Sequence, residues 1–138
     1  MTIKEVSKKY DIPADTLRYY ERIGAIPPVT RTAGGIRDYQ ESDIGWVQLA
    51  KCMRSAGLPI EVLIEYLRLF QEGDTTIPAR LQLLAEQRES LLEQQRQIEE
   101  TLERLNYKIS RYEIAVKTGK LTWDSNGACT AEKNGTSD

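Results

Sequence analysis

The regular spacing of apolar residues in the second half of the chain constrains its fold most strongly. Between positions 81 and 116, eleven positions follow one another at alternating intervals of three and four residues, and nine of them are apolar. The nine are Leu81, Leu84, Leu91, Ile98, Leu102, Leu105, Ile109, Tyr112 and Val116. Arg88 and Gln95 occupy the other two. This heptad pattern is typical of a coiled coil, which needs a partner helix.

A helix from Ile77 to Val116 would be on the order of 60 Å long, too long for a small head to cover. The alternative is an intramolecular hairpin. It is disfavoured because nothing after Lys120 is long or apolar enough to fold back along the helix. The pattern therefore predicts a homodimer through residues 77–116.

The N-terminal part of the chain carries the signals of two short helices. Thr2 and Glu5 have the spacing of a capping box at the start of the first helix. Pro13 suits the first position of the second, and Gly24 suits its C-terminal cap. Two short helices joined by a tight turn are typical of a helix-turn-helix.

A small β-hairpin, or wing, is predicted next. Gly34 and Gly35 mark its tip, with Arg31 and Arg37 on its arms. Two more helices follow, the first beginning at Ser42 or Glu41 and the second at Pro59. We therefore expect a mainly α chain with three parts. These are a winged helix-turn-helix head (1–71), a coiled-coil dimerisation helix (76–118) and a flexible polar tail (119–138).

Charge and composition narrow the class of function. Residues 1–58 carry nine Lys/Arg against seven Asp/Glu, and the remaining residues carry ten against fourteen. The positive excess in the head indicates a surface that faces phosphates. The chain has no histidine, which removes His-based acid–base catalysis and argues against a zinc enzyme. We expect no enzyme activity, no metal and no cofactor.

The chain begins with charged residues, and no apolar run is long enough to span a membrane. Two cysteines, Cys52 and Cys129, do not make a disulfide framework. We therefore expect a cytoplasmic protein with no membrane partner.

Two motifs carry a resemblance to a known family. The run DTLRYYERIGAIPP (15–28), followed by GIRDY (35–39) at the wing, resembles the MerR family of bacterial regulators. The likeness continues through Ile44 and the LPI junction (58–60), and covers roughly residues 1–70. It implies an antiparallel coiled coil and a homodimer on double-stranded promoter DNA with an over-long spacer. The activated dimer would kink and untwist that spacer so that RNA polymerase engages both promoter elements.

The candidate DNA-binding residues lie mainly on the second helix. An arginine such as Arg18 can reach a phosphate or a guanine edge, and tyrosine hydroxyls donate to phosphates. An alternative for Tyr19 and Tyr20 is that one of them belongs to the core, and Arg31 could be merely solvated. The full candidate set is Lys4, Thr16, Arg18, Tyr19, Tyr20, Arg22, Arg37 and Tyr39.

Cys52 is the candidate sensor thiol. The segment KCMRSAGL (51–58) resembles the NmlR/AdhR branch, which implies an activator that responds to aldehydes and other electrophiles. Lys51 and Arg54 would place positive charge near a Cys52 thiolate. The alternative is a buried cysteine that acts as a small apolar side chain. Cys129 could be an accessory thiol or an idle exposed residue.

Two other functions stay open. One is a DNA-binding regulator that senses a metal or an oxidant through Cys52 with Cys129 or a partner's thiol. It is disfavoured because residues 75–77 offer no thiol and Cys129 has no neighbouring cysteine. The other is a coiled-coil interaction protein without signal sensing. About 20 residues after the coiled coil cannot build a ligand pocket of the usual size.

Overall fold

The computed structural model describes residues 1–123, and residues 124–138, which include Cys129, lie outside the described part. In that part the helices are α1 (Ile3–Tyr10), α2 (Ala14–Ile23), α3 (Glu41–Ser55), α4 (Ile60–Glu72) and α5 (Ile77–Thr118). A single 3-10 turn, Asp74–Thr76, joins α4 to α5. The predicted mainly α fold with one long C-terminal helix is confirmed.

The ends of α1 and α2 are set by the residues that the sequence indicated. Thr2 and Glu5 form a reciprocal capping box: the Thr2 N–H donates to Glu5 Oε1 at 2.8 Å, and the Glu5 N–H donates to Thr2 Oγ1 at 3.2 Å. Pro13 is the cap of α2 rather than its first residue. Gly24 ends α2 with a φ of 82°, a left-handed conformation that favours glycine.

The head has one apolar core, to which α1, α2, α3, α4 and the loop between α2 and α3 contribute. Its members are Val6, Ile12, Leu17, Tyr20, Ala25, Ile26, Val29, Tyr39, Val47, Ala50 and Leu63. Val6, Leu17 and Val47 are fully buried. Burial of each such side chain contributes about 1.5–3 kcal/mol, so this cluster holds α2 in place against its neighbours.

The buried hydroxyl of Thr76 stabilises the junction between α4 and α5. Thr76 donates through Oγ1 to the Leu69 carbonyl at 2.6 Å. Arg80 then donates from Nε to Thr76 Oγ1 at 3.0 Å and lies over the Phe70 ring. These contacts join the first turns of α5 to α4 within one compact unit, Met1–Arg88.

The second unit begins at Glu89 and contains the rest of α5. Its predicted seam lies on the surface: Leu105 is 50% exposed and Val116 is 85% exposed. No residue of α5 is classed as buried in the described part of the chain. No helix within residues 1–123 combines the length and the apolar character that a membrane crossing requires.

The chain turns back after α5. The Arg111 guanidinium donates to the Thr122 carbonyl at 2.8 Å. The Trp123 ring lies edge-on to the Tyr112 ring, with 6.2 Å between centroids. The first residues of the predicted flexible tail (119–138) are therefore packed along the helix, and its remainder lies outside the described residues.

Candidate nucleic-acid interface

The two faces of α2 have different environments. Leu17 is fully buried and Tyr20 is only 9% exposed, whereas Arg18, Tyr19 and Arg22 lie on the surface. The helical period of 3.6 residues per turn produces this division. One of the two adjacent tyrosines does belong to the core, as the alternative above proposed, and it is Tyr20.

The exposed face of α2 combines positive charge with an aromatic ring. The Arg22 guanidinium lies over the Tyr19 ring, 5.3 Å from its centroid. Arg18 donates from Nη1 to Asp15 Oδ1 at 2.9 Å, as an ion pair on the surface. Such a pair contributes only about 0–1 kcal/mol to stability. Another anion can therefore replace the Asp15 carboxylate as the partner of Arg18 at little cost in free energy.

Two further candidate residues lie on α1 and α2. Thr16 is half-buried on α2, and Lys4 is exposed on α1. Lys8 and Lys9, in the last turn of α1, are also exposed. Basic side chains on two neighbouring helices can contact the phosphates of one duplex, which is the arrangement expected of a helix-turn-helix head.

The loop between α2 and α3 forms an abbreviated hairpin. Arg31 and Arg37 make one antiparallel bridge, and the Thr32 N–H donates to the Ile36 carbonyl at 2.8 Å. Gly35, near the tip, has a φ of 83°. The predicted wing is therefore present as a single bridge rather than as a ladder of strands. The arms are short because the chain enters the core soon after leaving the tip.

Glu21 holds this wing against α2. Its side chain is only 11% exposed. The carboxylate accepts a hydrogen bond from Arg37 Nε at 2.7 Å and another from the Val29 N–H at 2.9 Å. The Arg31 guanidinium lies 3.6 Å from the same carboxylate. No sequence pattern singled out Glu21. The available signal in the sequence was its position as one acidic residue between several basic ones.

The surroundings of Glu21 favour its charged form. Burial alone would raise the pKa of this carboxyl. The hydrogen bonds from Arg37 and Val29, together with the charges of Arg37 and Arg31, outweigh burial and hold the pKa below its ordinary value. The wing is therefore attached to α2 through an ionised carboxylate at neutral pH.

Tyr39 has a structural position, which corrects the expectation that it is a surface contact, whereas Arg37 is only partly buried. The Arg37 side chain is 23% exposed and is bonded to Glu21. Tyr39 is 1% exposed, and its hydroxyl is sealed from solvent without a hydrogen-bond partner in the described chain. Burial also raises the pKa of Tyr39. A sealed hydroxyl cannot donate to a phosphate, so Tyr39 belongs to the core that supports the wing.

Cys52 is exposed on α3, so the alternative of a buried cysteine is wrong. The thiol lines a shallow depression of about 420 Å³ between the end of α1 and the last turns of α3. The other lining residues are Lys9, Tyr10, Asp11, Gln48, Lys51 and Ser55. A small reagent can therefore reach the sulfur directly from solvent.

The two basic neighbours of Cys52 are anchored by backbone carbonyls. Lys51 Nζ donates to the Tyr10 carbonyl, which ties α3 to the end of α1. Arg54 Nη1 donates to the Leu58 carbonyl at 2.6 Å. Both cations lie within one turn of the thiol, but their hydrogen bonds in the described structure go to these carbonyls.

The head and the long helix match known regulators. The profile of the MerR HTH family regulatory proteins matches residues 1–69. The chain is 57% identical over 93 residues to the HTH-type transcriptional regulator AdhR of Bacillus subtilis, which covers 67% of this chain and 66% of AdhR. The match thus spans just under two thirds of AdhR's own length.

Two solved structures share both the fold and the sequence. A MerR family transcriptional regulator from Listeria monocytogenes superposes with a TM-score of 0.82 at 44% identity, covering 86% of this chain and 90% of that one. HiNmlR is described as a MerR family regulator lacking the sensor domain, bound to promoter DNA. It superposes with a TM-score of 0.78 at 29% identity, covering 86% and 94%.

Proposed function

Because the chain belongs to the MerR family of helix-turn-helix regulatory proteins, we propose that it controls a promoter as a homodimer that responds to electrophiles through Cys52. Membership of the family makes it a DNA-binding transcription regulator rather than an enzyme. The similarity to AdhR and HiNmlR supports its place in the NmlR/AdhR branch. The observation that carries the sensing proposal is the exposed thiol on α3.

DNA recognition is assigned to the exposed face of α2. Arg18 and Arg22 supply positive charge and donors for phosphates or base edges, and Tyr19 supplies a ring and a hydroxyl. Lys4 adds a phosphate contact from α1, and Thr16 adds a hydroxyl from α2. Arg37 is partly exposed and adds a further DNA contact from the wing, whereas the buried Tyr39 acts only indirectly, by holding the wing in position.

Dimerisation is assigned to the exposed seam of α5. An apolar stripe of this length on an isolated helix is unstable in water, and a second copy would cover it. Two heads on one coiled coil can contact both halves of a promoter. Bending or untwisting a short site costs on the order of 1–6 kcal/mol, which contacts from two heads can offset. RNA polymerase then binds the deformed promoter.

Sensing is assigned to addition of an electrophile at Cys52. The thiol loses its proton to solvent, and the thiolate sulfur forms a bond to the carbonyl carbon of an aldehyde. The π electrons of the C=O bond move to the oxygen, which takes a proton from water to give a hemithioacetal. The enlarged side chain occupies the depression beside Tyr10 and Lys51. The contact between α1 and α3 changes as a result, and the position of α2 changes with it.

The decisive test replaces one cysteine at a time. A reporter driven by the target promoter is induced with formaldehyde in cells that carry the wild-type chain, Cys52→Ser or Cys129→Ser. We expect Cys52→Ser to abolish induction and Cys129→Ser, the matched control, to preserve it. Mass spectrometry of the treated protein should locate the adduct on the Cys52 peptide. Full induction in the Cys52→Ser strain would refute the proposal.

The metal- or oxidant-responsive alternative has weaker support. Within residues 1–123 no group of three or more His, Cys, Asp or Glu side chains is placed to hold a metal ion. Stoichiometric metal in the purified protein, or a Cys52 disulfide on a non-reducing gel after oxidant, would favour this alternative over electrophile sensing. The coiled-coil interaction protein is not retained, because the family match covers the DNA-binding head.

A further inference from the structure

The five residues that follow α5 lie outside the proposed dimer interface. Residues 119–123, here called the strap, begin at Gly119, whose φ of 75° takes the chain out of the helix. Arg111 holds the strap against α5: its guanidinium donates to the Thr122 carbonyl at 2.8 Å and to Thr122 Oγ1 at 2.7 Å. The strap therefore runs back along the last turns of the helix that it follows.

Trp123, at the end of the strap, contacts three side chains of α5. Its ring centroid lies 6.0 Å from that of Tyr107 and 6.2 Å from that of Tyr112. The Lys108 ammonium lies 5.8 Å from the centroid of the indole. Tyr112 belongs to the seam, and Lys108 is its neighbour one turn earlier on the helix surface. The strap therefore ends beside the seam.

The seam carries an apolar groove at this same end of α5. The groove has a volume of about 420 Å³ and is lined by Leu105, Lys108, Ile109, Tyr112, Glu113 and Val116. Lys108 and Tyr112 line the groove on one side and contact Trp123 on the other. A helix that fills the groove would therefore lie directly beside the indole of Trp123.

Contacts within one copy do not fully satisfy the strap. Trp123 Nε1 is sealed from solvent and has no hydrogen-bond acceptor in the described chain. A sealed donor without an acceptor costs free energy, which opposes docking of the strap. The hydrogen bonds that favour docking, from Arg111 to Thr122, are exposed to water and contribute little. A second apolar surface over the strap would shift the balance towards the docked form.

We propose that α5 of a second copy covers the strap as well as the seam, so that each strap forms an aromatic rim of the dimer interface. The inference rests on the proposed dimerisation through the seam and extends that interface from residue 116 to residue 123. The heptad period requires a helix as the partner, and the groove continues the seam to the edge of the strap. Docking of the strap and dimerisation then stabilise each other, because the partner binds the docked form more tightly.

The first test measures the dissociation constant of the dimer by sedimentation of the full chain across a dilution series. Trp123→Ala removes the indole from both straps, and we expect about tenfold weaker dimerisation. Lys117→Ala is the matched control, because Lys117 is exposed and lies nine residues after Lys108, about 180° around the helix. It should leave the constant unchanged. Equal constants for the wild type and Trp123→Ala would overturn the proposal.

Two further variants separate a contact between copies from a contact within one copy. Trp123→Phe keeps a ring and removes the sealed N–H, so it should dimerise at least as tightly as the wild type. Dimerisation as weak as that of Trp123→Ala would contradict the rim. In a monomeric Leu105→Asp background, Trp123→Ala should lower the thermal midpoint much less than in the dimer, since no partner contact remains to be lost. Equal losses in both backgrounds would show that the strap serves only its own helix.

Fluorescence reports on the strap directly. Trp46→Phe leaves Trp123 as the only tryptophan of the chain. We expect its emission to shift to longer wavelength on dilution, with the midpoint of dimer dissociation. Emission that stays constant through dissociation would contradict the proposal. The failure of the rim and that of the seam are distinguishable: if Leu105→Asp is monomeric and Trp123→Ala dimerises normally, the seam stands and the rim is wrong. If Leu105→Asp remains dimeric, the seam interface itself is wrong.

Discussion

Replacement of Glu21 by Gln tests whether one buried carboxylate attaches the wing to α2. The substitution keeps the size of the side chain and removes its charge. The carboxylate accepts one hydrogen bond at each oxygen, from Arg37 to Oε1 at 2.7 Å and from the Val29 N–H to Oε2 at 2.9 Å, whereas glutamine has one accepting oxygen and loses one of the two. A hydrogen bond to a charged group is worth about 1.5–3 kcal/mol, and the retained bond, now to an uncharged oxygen, is weaker.

The more distant Arg31 guanidinium, at 3.6 Å, adds little because that side chain is largely solvated. The total loss is about 2–3 kcal/mol of unfolding free energy. For a domain of this size that loss lowers the thermal midpoint by roughly 10 °C or more.

The loss of stability in Glu21→Gln should depend on pH in a direction that follows from the pKa of Glu21. The folded-state pKa of Glu21 lies below its ordinary value of 4.5. A depressed pKa gives stability that is fully present above the unfolded-state pKa and is lost as the pH falls through the folded-state pKa. The difference between wild type and Glu21→Gln should therefore be complete at neutral pH and should narrow progressively below a pH of about 4.5.

Glu65→Gln is the matched control for this comparison. Glu65 also pairs with an arginine, Arg68, at 2.6 Å, and its hydrogen bond from Arg68 lowers its pKa. That pair lies exposed on α4, so its loss should change stability far less. Circular dichroism melts of the full chain across the pH series measure both variants. Equal losses for the two, or a Glu21→Gln deficit that stays constant on acidification, would refute the role given to Glu21.

Two further predictions concern the termination of α2 and the seam. Gly24→Ala should lower the free energy of unfolding, measured in urea, by about 1 kcal/mol. The φ of Gly24 is 82°, a conformation that is strained for alanine, whereas the added methyl group would meet no neighbouring atom within 4 Å. No loss would show that the left-handed cap contributes nothing. Leu105→Asp should convert the dimer to a monomer in sedimentation analysis, because it puts a charge in the seam, whereas off-seam Glu103→Ala should remain dimeric. A dimeric Leu105→Asp chain would place the interface elsewhere.

Local signals in the sequence predicted the local structure well. The capping box of Thr2 and Glu5 depends on residues three apart, and the αL cap at Gly24 depends on one residue. The period of the seam also predicted one long helix from 77 onward. Such features were predictable because their contacts lie within a turn or two of the chain.

Features that depend on tertiary packing were not predictable in this way. Glu21 and Arg37 are sixteen residues apart, and nothing in the spacing of either residue pairs them. The GIRDY motif identified Tyr39 as part of the wing but did not reveal that its ring fills the core. Resemblance located Arg37 and Tyr39 but not Glu21, and the separate roles of all three residues followed from burial and hydrogen bonding.

The exposure of Cys52 could have been read from the helical pattern of α3. Val47 and Ala50 are buried, which fixes the inner face of that helix. Cys52 is two residues after Ala50, a rotation of about 200° that places it on the opposite face. A general tendency of cysteine to be buried was therefore weaker evidence than the period of the helix that carries it.

Selection of duplexes from a random-sequence library by the full chain tests the central claim most directly. A homodimer that reads DNA through α2 of each copy predicts an enriched inverted repeat with two half-sites. It also predicts that Arg18→Gln enriches no such repeat. Recovery of a single half-site, or equal enrichment by the wild type and Arg18→Gln, would contradict the account.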